Sequence, residues 1–322
     1  MQTNRLGRSA VCVTELSFGA AAIGNLYAPV TDAAARAAVR AAWDTGIRCF
    51  DTAPHYGLGR SEQRLGAALR DYPREAYVLS TKVGRILEPV ERPDGDDLAN
   101  GFAVPARYRR RWDFTADGVE RSLAESLQRL GLDRIDIAYL HDPDEHVDQA
   151  LREAYPALEK LRDQGVIGAI GVGMNQAAML TRFVTETDID VVLVAGRYTL
   201  IDQSAAGALL PAALKRGVSV IAGGVFNSGL LAAPVPGSTY DYQTAPDSLL
   251  GRARRLEETC ARFGVPLRAA AARFPLTHPA VASVLIGVRS AAEITDALRL
   301  RQLDIPAALW DSLATQHEKG LA

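Results

Sequence analysis

The chain has 322 residues, 48% hydrophobic and 23% charged, and its 36 basic and 38 acidic side chains leave a formal net charge of −2. A near-neutral total offers no basic field for nucleic acid or an anionic lipid surface, and no run approaches the roughly 20 apolar residues of a membrane span. The expected partner is a small molecule, with neither nucleic acid nor membrane involved and the oligomeric state open.

The first residues, MQTNRLGRSA, lack the apolar core of a signal peptide, and Cys12, Cys49 and Cys260 are too scattered for a disulfide framework or a zinc site. A reducing cytoplasm is therefore expected. "NRLG" and "AVCVTEL" predict an N-terminal hairpin. Beyond it, short apolar runs at 16–18, 47–50, 77–81, 135–140, 167–172, 191–194, 218–222 and 281–286 alternate with helical stretches. The helices are expected at 31–44, 61–69, 115–130, 149–164, 176–185, 204–216 and 249–263.

Apolar strands separated by helices imply parallel strands buried on both faces, wound by right-handed crossovers into a doubly wound sheet or a closed barrel. Eight units favour an α/β (β/α)8 TIM barrel with an N-terminal β-hairpin, and the absence of a linker favours one domain over residues 1–322. Two stretches, 84–112 and 225–248, break the rhythm. Each follows a strand, so both belong at the carboxyl rim of the barrel as lids, binding loops or disordered segments.

The strand ends carry the chemistry. Asp51 closes the second run, Lys82 the third and His141 the fourth, with Tyr56 five residues after Asp51. A tyrosine of ordinary pKa, about 10, is a poor base near neutrality, and a neighbouring ammonium favours the phenolate. Asp51 would hold Lys82 charged, and a neutral His141 would orient a substrate oxygen. The set moves protons but holds no electron acceptor, so a redox reaction here needs a cofactor. His141 and His146 lack a third ligand, so no metal is expected. "GVGMNQ" mimics a dinucleotide fingerprint but places Gln176 where helix packing needs a small residue.

With "GIRCFDTAPHYGLGRSEQRLGAAL", "STKVGR", "SLQRLGLDRIDIAYLHDPD", "LRDQGVIGAIGVGMN" and "VLIGVRSAAEITDAL", the chain resembles the aldo-keto reductases along nearly its whole length. The resemblance implies a (β/α)8 barrel that binds NAD or NADP without a Rossmann fold. It carries the catalytic set onto Asp51, Tyr56, Lys82 and His141, with Tyr56 as general acid/base. "STKVGR", a long loop and "YLHDPD" are most similar to the sugar 1-dehydrogenases of the D-threo-aldose and L-fucose type, which oxidise a cyclic hemiacetal to a lactone; pyridoxal dehydrogenases lie nearby. Alternatives are an NADPH-dependent reductase of small aldehydes or ketones and, outside enzymes, a nucleotide-sensing regulatory subunit.

The same resemblance places the cofactor against Gly19, Ala20 and Asn175, along the loop from Gly224 through Val225, Phe226, Asn227, Ser228 and Gly229 to Leu230, and against Gly287, Val288, Arg289, Ser290 and Glu293. The family's usual Ser and Gln contacts are replaced by Gly173-Met174-Asn175 and Ala195-Gly196-Arg197, and its stacking aromatic by Gly223. Ser290 and Glu293 also read as a helix capping box. An acid at 293, where NADPH-preferring members carry arginine, favours NAD, with Arg289 acting against it. Substrate contacts are expected from His55, Arg85 and Trp112, with Trp112 as an apolar wall.

Overall fold

A computed structural model describes residues 1–241 and 243–319. Eight parallel strands close into a barrel in sequential order: β1 (Leu16–Gly19), β2 (Cys49–Asp51), β3 (Val78–Val83), β4 (Ile137–His141), β5 (Ala169–Met174), β6 (Val191–Ala195), β7 (Ser219–Gly223) and β8 (Val281–Gly287), with β8 pairing β1. Inside, Ile137, Tyr139, Ala169, Val191, Leu193 and Ile221 form a buried cluster with Leu6 and Val13 of the N-terminal hairpin, whose strands are Thr3–Arg5 and Cys12–Thr14. The other strand residues face the helices in a second, larger cluster. Both faces are thus buried, the physical reason these strands read as unbroken apolar runs.

Three differences from the predicted elements have local causes. The fourth and fifth strands start two residues late, because Ile135 and Ile167 are apolar through burial (1% and 2% exposed) and not through pairing; the ladders begin at Ile137 against Ser80 and Ala169. The helix expected at 204–216 runs only over Leu209–Arg216. Upstream, the Asp202 carboxylate accepts from the Ser204 N–H (3.0 Å) and hydroxyl (2.6 Å), and local bonds of this kind compete with a helix. The stretch 149–164 contains a π-helical turn, Ala150–Ala154, just before Pro156, which has no N–H to continue an α-helical ladder.

The stretch 84–112 is ordered as two β-hairpins. Arg85–Pro89 pairs with Tyr108–Trp112, and Asp96–Asp97 pairs with Phe102–Pro105. They stand on the carboxyl rim above β3.

The helix Arg60–Leu69, which follows the Tyr56 loop, packs tightly on Ala116–Leu130. A Cβ on Gly66 would lie 1.9 Å from the Leu130 carbonyl oxygen. Gly66→Ala must therefore push the helices apart and should lower the unfolding free energy by about 3 kcal/mol, at the upper end for overpacking. Denaturant midpoints measure this; an unchanged midpoint would show that the two helices do not meet at Gly66.

Candidate active site

Strand pairing brings the titratable groups together. Gly19 of β1 pairs with Asp51 of β2, and Asp51 with Ser80 of β3, two residues before Lys82. Lys82 Nζ, 2% exposed with its residue, donates to Asp51 Oδ2 at 2.6 Å and to the Thr52 carbonyl at 2.9 Å. The Ser80 hydroxyl holds the other Asp51 oxygen at 2.8 Å. Lys82 Nζ also lies 4.6 Å from the centre of the Tyr56 ring and hydrogen-bonds its hydroxyl. The loop carrying Tyr56 is pinned by the Ser61 hydroxyl, 2.8 Å from both Thr52 Oγ1 and the Ala20 carbonyl. His141, at the end of β4, has its ring 5.9 Å from Tyr56 and 5.7 Å from His55.

The Tyr56 hydroxyl does not behave as the lysine alone would dictate. Burial raises its pKa above the ordinary value and Asp51 adds to the rise, together outweighing Lys82. The expectation of a lowered value is corrected accordingly: the resting group is a neutral phenol. Burial pulls Lys82 down, but Asp51 and Tyr56 more than offset it, so the ammonium is retained. Burial, then Arg85 and Lys82, hold His141 well below its usual value, and its Nδ1 is buried without a partner among the described residues. Burial, then Arg85, Arg110 and Lys82, push His55 down to about 2.

The hairpins supply a wall. Arg85 pairs with Asp142, and its guanidinium stacks on Trp112 at 4.3 Å. Trp112 is 40% exposed and packs on Phe114 and His146. Three further contributors escaped the sequence reading: Phe102, edge-on to His55 at 5.2 Å; Arg110, which donates to the His55 carbonyl at 2.9 Å; and Asp97, which binds Arg110 through both oxygens at 2.5 and 2.7 Å. Arg110 lies in "YRRRW", where three consecutive arginines hide the one turned inward.

Around the remaining rim, the residues present fit a dinucleotide. After β7, Gly224, Asn227, Ser228 and Gly229 all have positive φ (60°, 46°, 58° and 105°), a compact backbone concavity of the kind that accepts anions. Among the described residues, a Cβ on Gly229 or Gly287 would meet nothing within 4 Å, so both backbones are open to a ligand, and Asn227 Oδ1 is buried without a partner. The N–H groups of Asn227, Gly229 and Leu230 donate within the loop, which narrows the expected anion donors to its other members. Val225 anchors the loop in the helix-facing cluster and Leu230 in a separate cluster with Leu256, Ala270 and Leu309, and Phe226 packs against both of these. Arg197 is a strut: it binds Asp241 at 2.9 and 2.7 Å, while Asn227 Nδ2 donates to the Gly196 carbonyl at 3.1 Å. Asn175 lies one residue beyond β5, and Gly19, Gly287 and buried Val288 line up at the β1–β8 seam, with the Ala20 N–H on the Asp51 carbonyl at 2.9 Å. Ser290 caps the helix Ala291–Gln302, and Glu293 accepts from the Arg289 N–H at 2.8 Å and faces its guanidinium at 3.4 Å. Tyr27, also missed, hydrogen-bonds Ser228 across the rim.

A closed (β/α)8 barrel with titratable groups gathered at its carboxyl rim has the architecture of a barrel enzyme. The Aldo/keto reductase family model matches residues 15–315, and the chain belongs to that family of oxidoreductases, whose dehydrogenases use nicotinamide cofactors. It is 50% identical to a D-threo-aldose 1-dehydrogenase of a Pseudomonas species over 309 residues, 94% of each chain. It is 43% identical to a pyridoxal 4-dehydrogenase of Microbacterium luteolum over 329 residues, 97% of this chain and 96% of that one. An aldo-keto reductase from Bacillus halodurans, solved in its holo form, superposes with a TM-score of 0.76 at 25% identity, covering 99% of this chain and 96% of that one.

The buried imidazoles make stability depend on pH. Unfolded, each binds a proton near its ordinary pKa of about 6.5; folded, it refuses that proton until far lower pH. Their contribution is therefore full above about pH 6.5 and is lost as pH falls, for His55 through the window down to about 2. His55→Gln should lose less stability between pH 7 and pH 5 than wild type, measured by urea midpoints. Equal losses would show that folded His55 accepts the proton.

Proposed function

We propose that the protein oxidises an aldose at C1, taking the ring hydroxyl of the cyclic hemiacetal to a lactone. The observation that carries this reading is the Asp51–Lys82–Tyr56 relay, with a 2.6 Å ion pair at its base, opening beside a neutral His141 and a wall of Trp112, Arg85 and His55. Half of the residues are shared with an aldose 1-dehydrogenase, which supports the substrate class. A bound nicotinamide dinucleotide would supply the hydride acceptor. The neutral His141 imidazole donates a hydrogen bond to the C1 oxygen and orients it. Tyr56, once deprotonated, removes the hydroxyl proton as the C1–H bond is broken, and Lys82 stabilises the phenolate. Arg85, His55 and Trp112 offer the polar edge and apolar face that a sugar ring requires. Gly19, Ala20, Asn175, the 224–230 loop and the 287–293 segment would hold the dinucleotide.

Because Tyr56 rests as a phenol, oxidation should accelerate as pH rises toward its pKa. Tyr56→Phe should lower turnover by about 10² to 10⁴ while leaving dinucleotide affinity nearly intact, the usual range for a lost proton carrier. Lys82→Met should also slow oxidation and move its pH profile upward, since the phenol loses the ammonium that favours its ionised form. An unmoved profile would assign the titration to another group. The substrate class is tested by cofactor reduction over L-fucose, D-arabinose and L-galactose, with pyridoxal and pyridoxine as controls; turnover of pyridoxal alone would overturn the aldose reading.

NAD is the preferred dinucleotide in this reading. Glu293 places a carboxylate beside Arg289 and cancels the positive charge that a 2′-phosphate would need, whereas a ribose hydroxyl can donate to it. The ratio of kcat/KM for NAD over NADP should exceed one and should fall in Glu293→Gln. A wild-type ratio below one would make Glu293 a helix-capping residue and Arg289 the recognising group.

A further inference from the structure

The substrate side of the rim carries three cations, and each is matched by one carboxylate. Lys82 lies on Asp51, Arg110 binds both oxygens of Asp97, and Arg85 binds Asp142. Between them, His55 and His141 are neutral. The wall therefore offers many donors and acceptors and, among the described residues, no unpaired cation, while Asp144 adds a further acid near Arg85 and Asp142. That combination suits hydroxyl groups, which both donate and accept, and leaves no free cation for a substrate anion.

Of the three pairs, Arg85–Asp142 bears most directly on a ligand. Asp142 follows His141 and holds a left-handed backbone (φ 44°), which turns its carboxylate back to 3.6 Å from His141 Nε2. Its side chain is 33% exposed, whereas that of Arg85 is 10% exposed. Arg85 is clamped between this carboxylate and the Trp112 ring, and its Nε is buried without a partner. An acid with a left-handed backbone thus occupies the Arg85 guanidinium and at the same time lies beside His141, the partner of the substrate oxygen.

Building on the aldose reading above, we propose that the Arg85–Asp142 pair is a specificity determinant that admits neutral sugars and rejects their uronic acids. Asp142 takes the place on Arg85 that a substrate carboxylate would otherwise fill, and a second carboxylate brought there meets like charge. Discrimination of this sort comes from an arrangement built against the wrong substrate as much as from contacts to the right one.

The test compares kcat/KM for an aldohexose that the protein oxidises with that for the uronate differing only in a C6 carboxylate, in wild type, Asp142→Asn and Arg85→Gln. Wild type should favour the aldose by about 10² or more, as like-charge contact in a partly dry site implies. Asp142→Asn, in which Asn tolerates the left-handed backbone, should narrow the ratio about tenfold, mainly by lowering KM for the uronate. Arg85→Gln should leave the uronate excluded. A wild-type ratio near one, or equal losses for both substrates in Asp142→Asn with an unchanged ratio, would overturn the proposal. If Asp142→Asn does not fold, a uronate accepted by Arg85→Gln as readily as its aldose would overturn it, and continued exclusion would support it. If wild type oxidises no aldose, the aldose reading fails by itself, and the pair is then tested by reduction of glyceraldehyde against glyoxylate in the same variants. There, preference for the neutral aldehyde that narrows in Asp142→Asn supports the charge filter, and equal use of both overturns it.

Discussion

The buried ion pair between Lys82 and Asp51 constrains everything else at the rim. Two charges withdrawn from water cost several kcal/mol each unless every remaining donor and acceptor is met, and removing one partner is more damaging than never having buried either. Here the pair is met from one strand and one loop: Ser80 from β3, and the Thr52 carbonyl and Tyr56 from the loop after β2. Thr52 is in turn tied through Ser61 to the Ala20 carbonyl beyond β1. A closed barrel suits such a pair, because neighbouring strand ends approach one another at fixed register and no edge admits water.

The same burial sets where the Tyr56 proton rests. A phenol beside an ammonium in water would ionise more easily; beside an ammonium already held by a carboxylate, and out of water, it does not. The relay therefore stores its proton on Tyr56 at rest. In the proposed reaction such a phenol would give a proton to a carbonyl readily, and oxidation would need it to ionise first.

Much of this was legible in the sequence because parallel barrel strands are apolar on both faces, and the polar residue ending each run stands out against them. Asp51, Lys82 and His141 stood out that way, and the structure brings them together around Tyr56. The errors came where one cue served two purposes. Ile135 and Ile167 were counted as strand because burial and pairing look alike in an apolar run. The hairpins over β3 were read only as a long loop, since their period-two pattern is carried by arginines: Arg110 turns inward with its side chain 12% exposed, while Arg109 on the same strand is 75% exposed. The rise in the Tyr56 pKa was missed because a charge neighbour is visible in sequence and desolvation is not.

The missed residues also show how the two halves of the rim communicate. Leu26 forms a bridge with Phe102, and the Tyr27 N–H donates to the Gly101 carbonyl at 2.8 Å, so the segment after β1 completes the substrate-side hairpin. Tyr27 itself has a left-handed backbone (φ 64°) and turns its ring the other way, to Ser228 in the cofactor-side loop. Asn25 anchors the same segment, donating to the Ala103 carbonyl at 3.0 Å and accepting from Arg64 at 2.7 Å. The Arg60–Leu69 helix that carries Arg64 also carries Ser61, which pins the Tyr56 loop. One short segment thus joins the wall that would face the sugar, the loop that would face the dinucleotide and the helix behind the proton relay. Hydrogen bonds thus connect both loops to the helix whose Ser61 pins the Tyr56 loop.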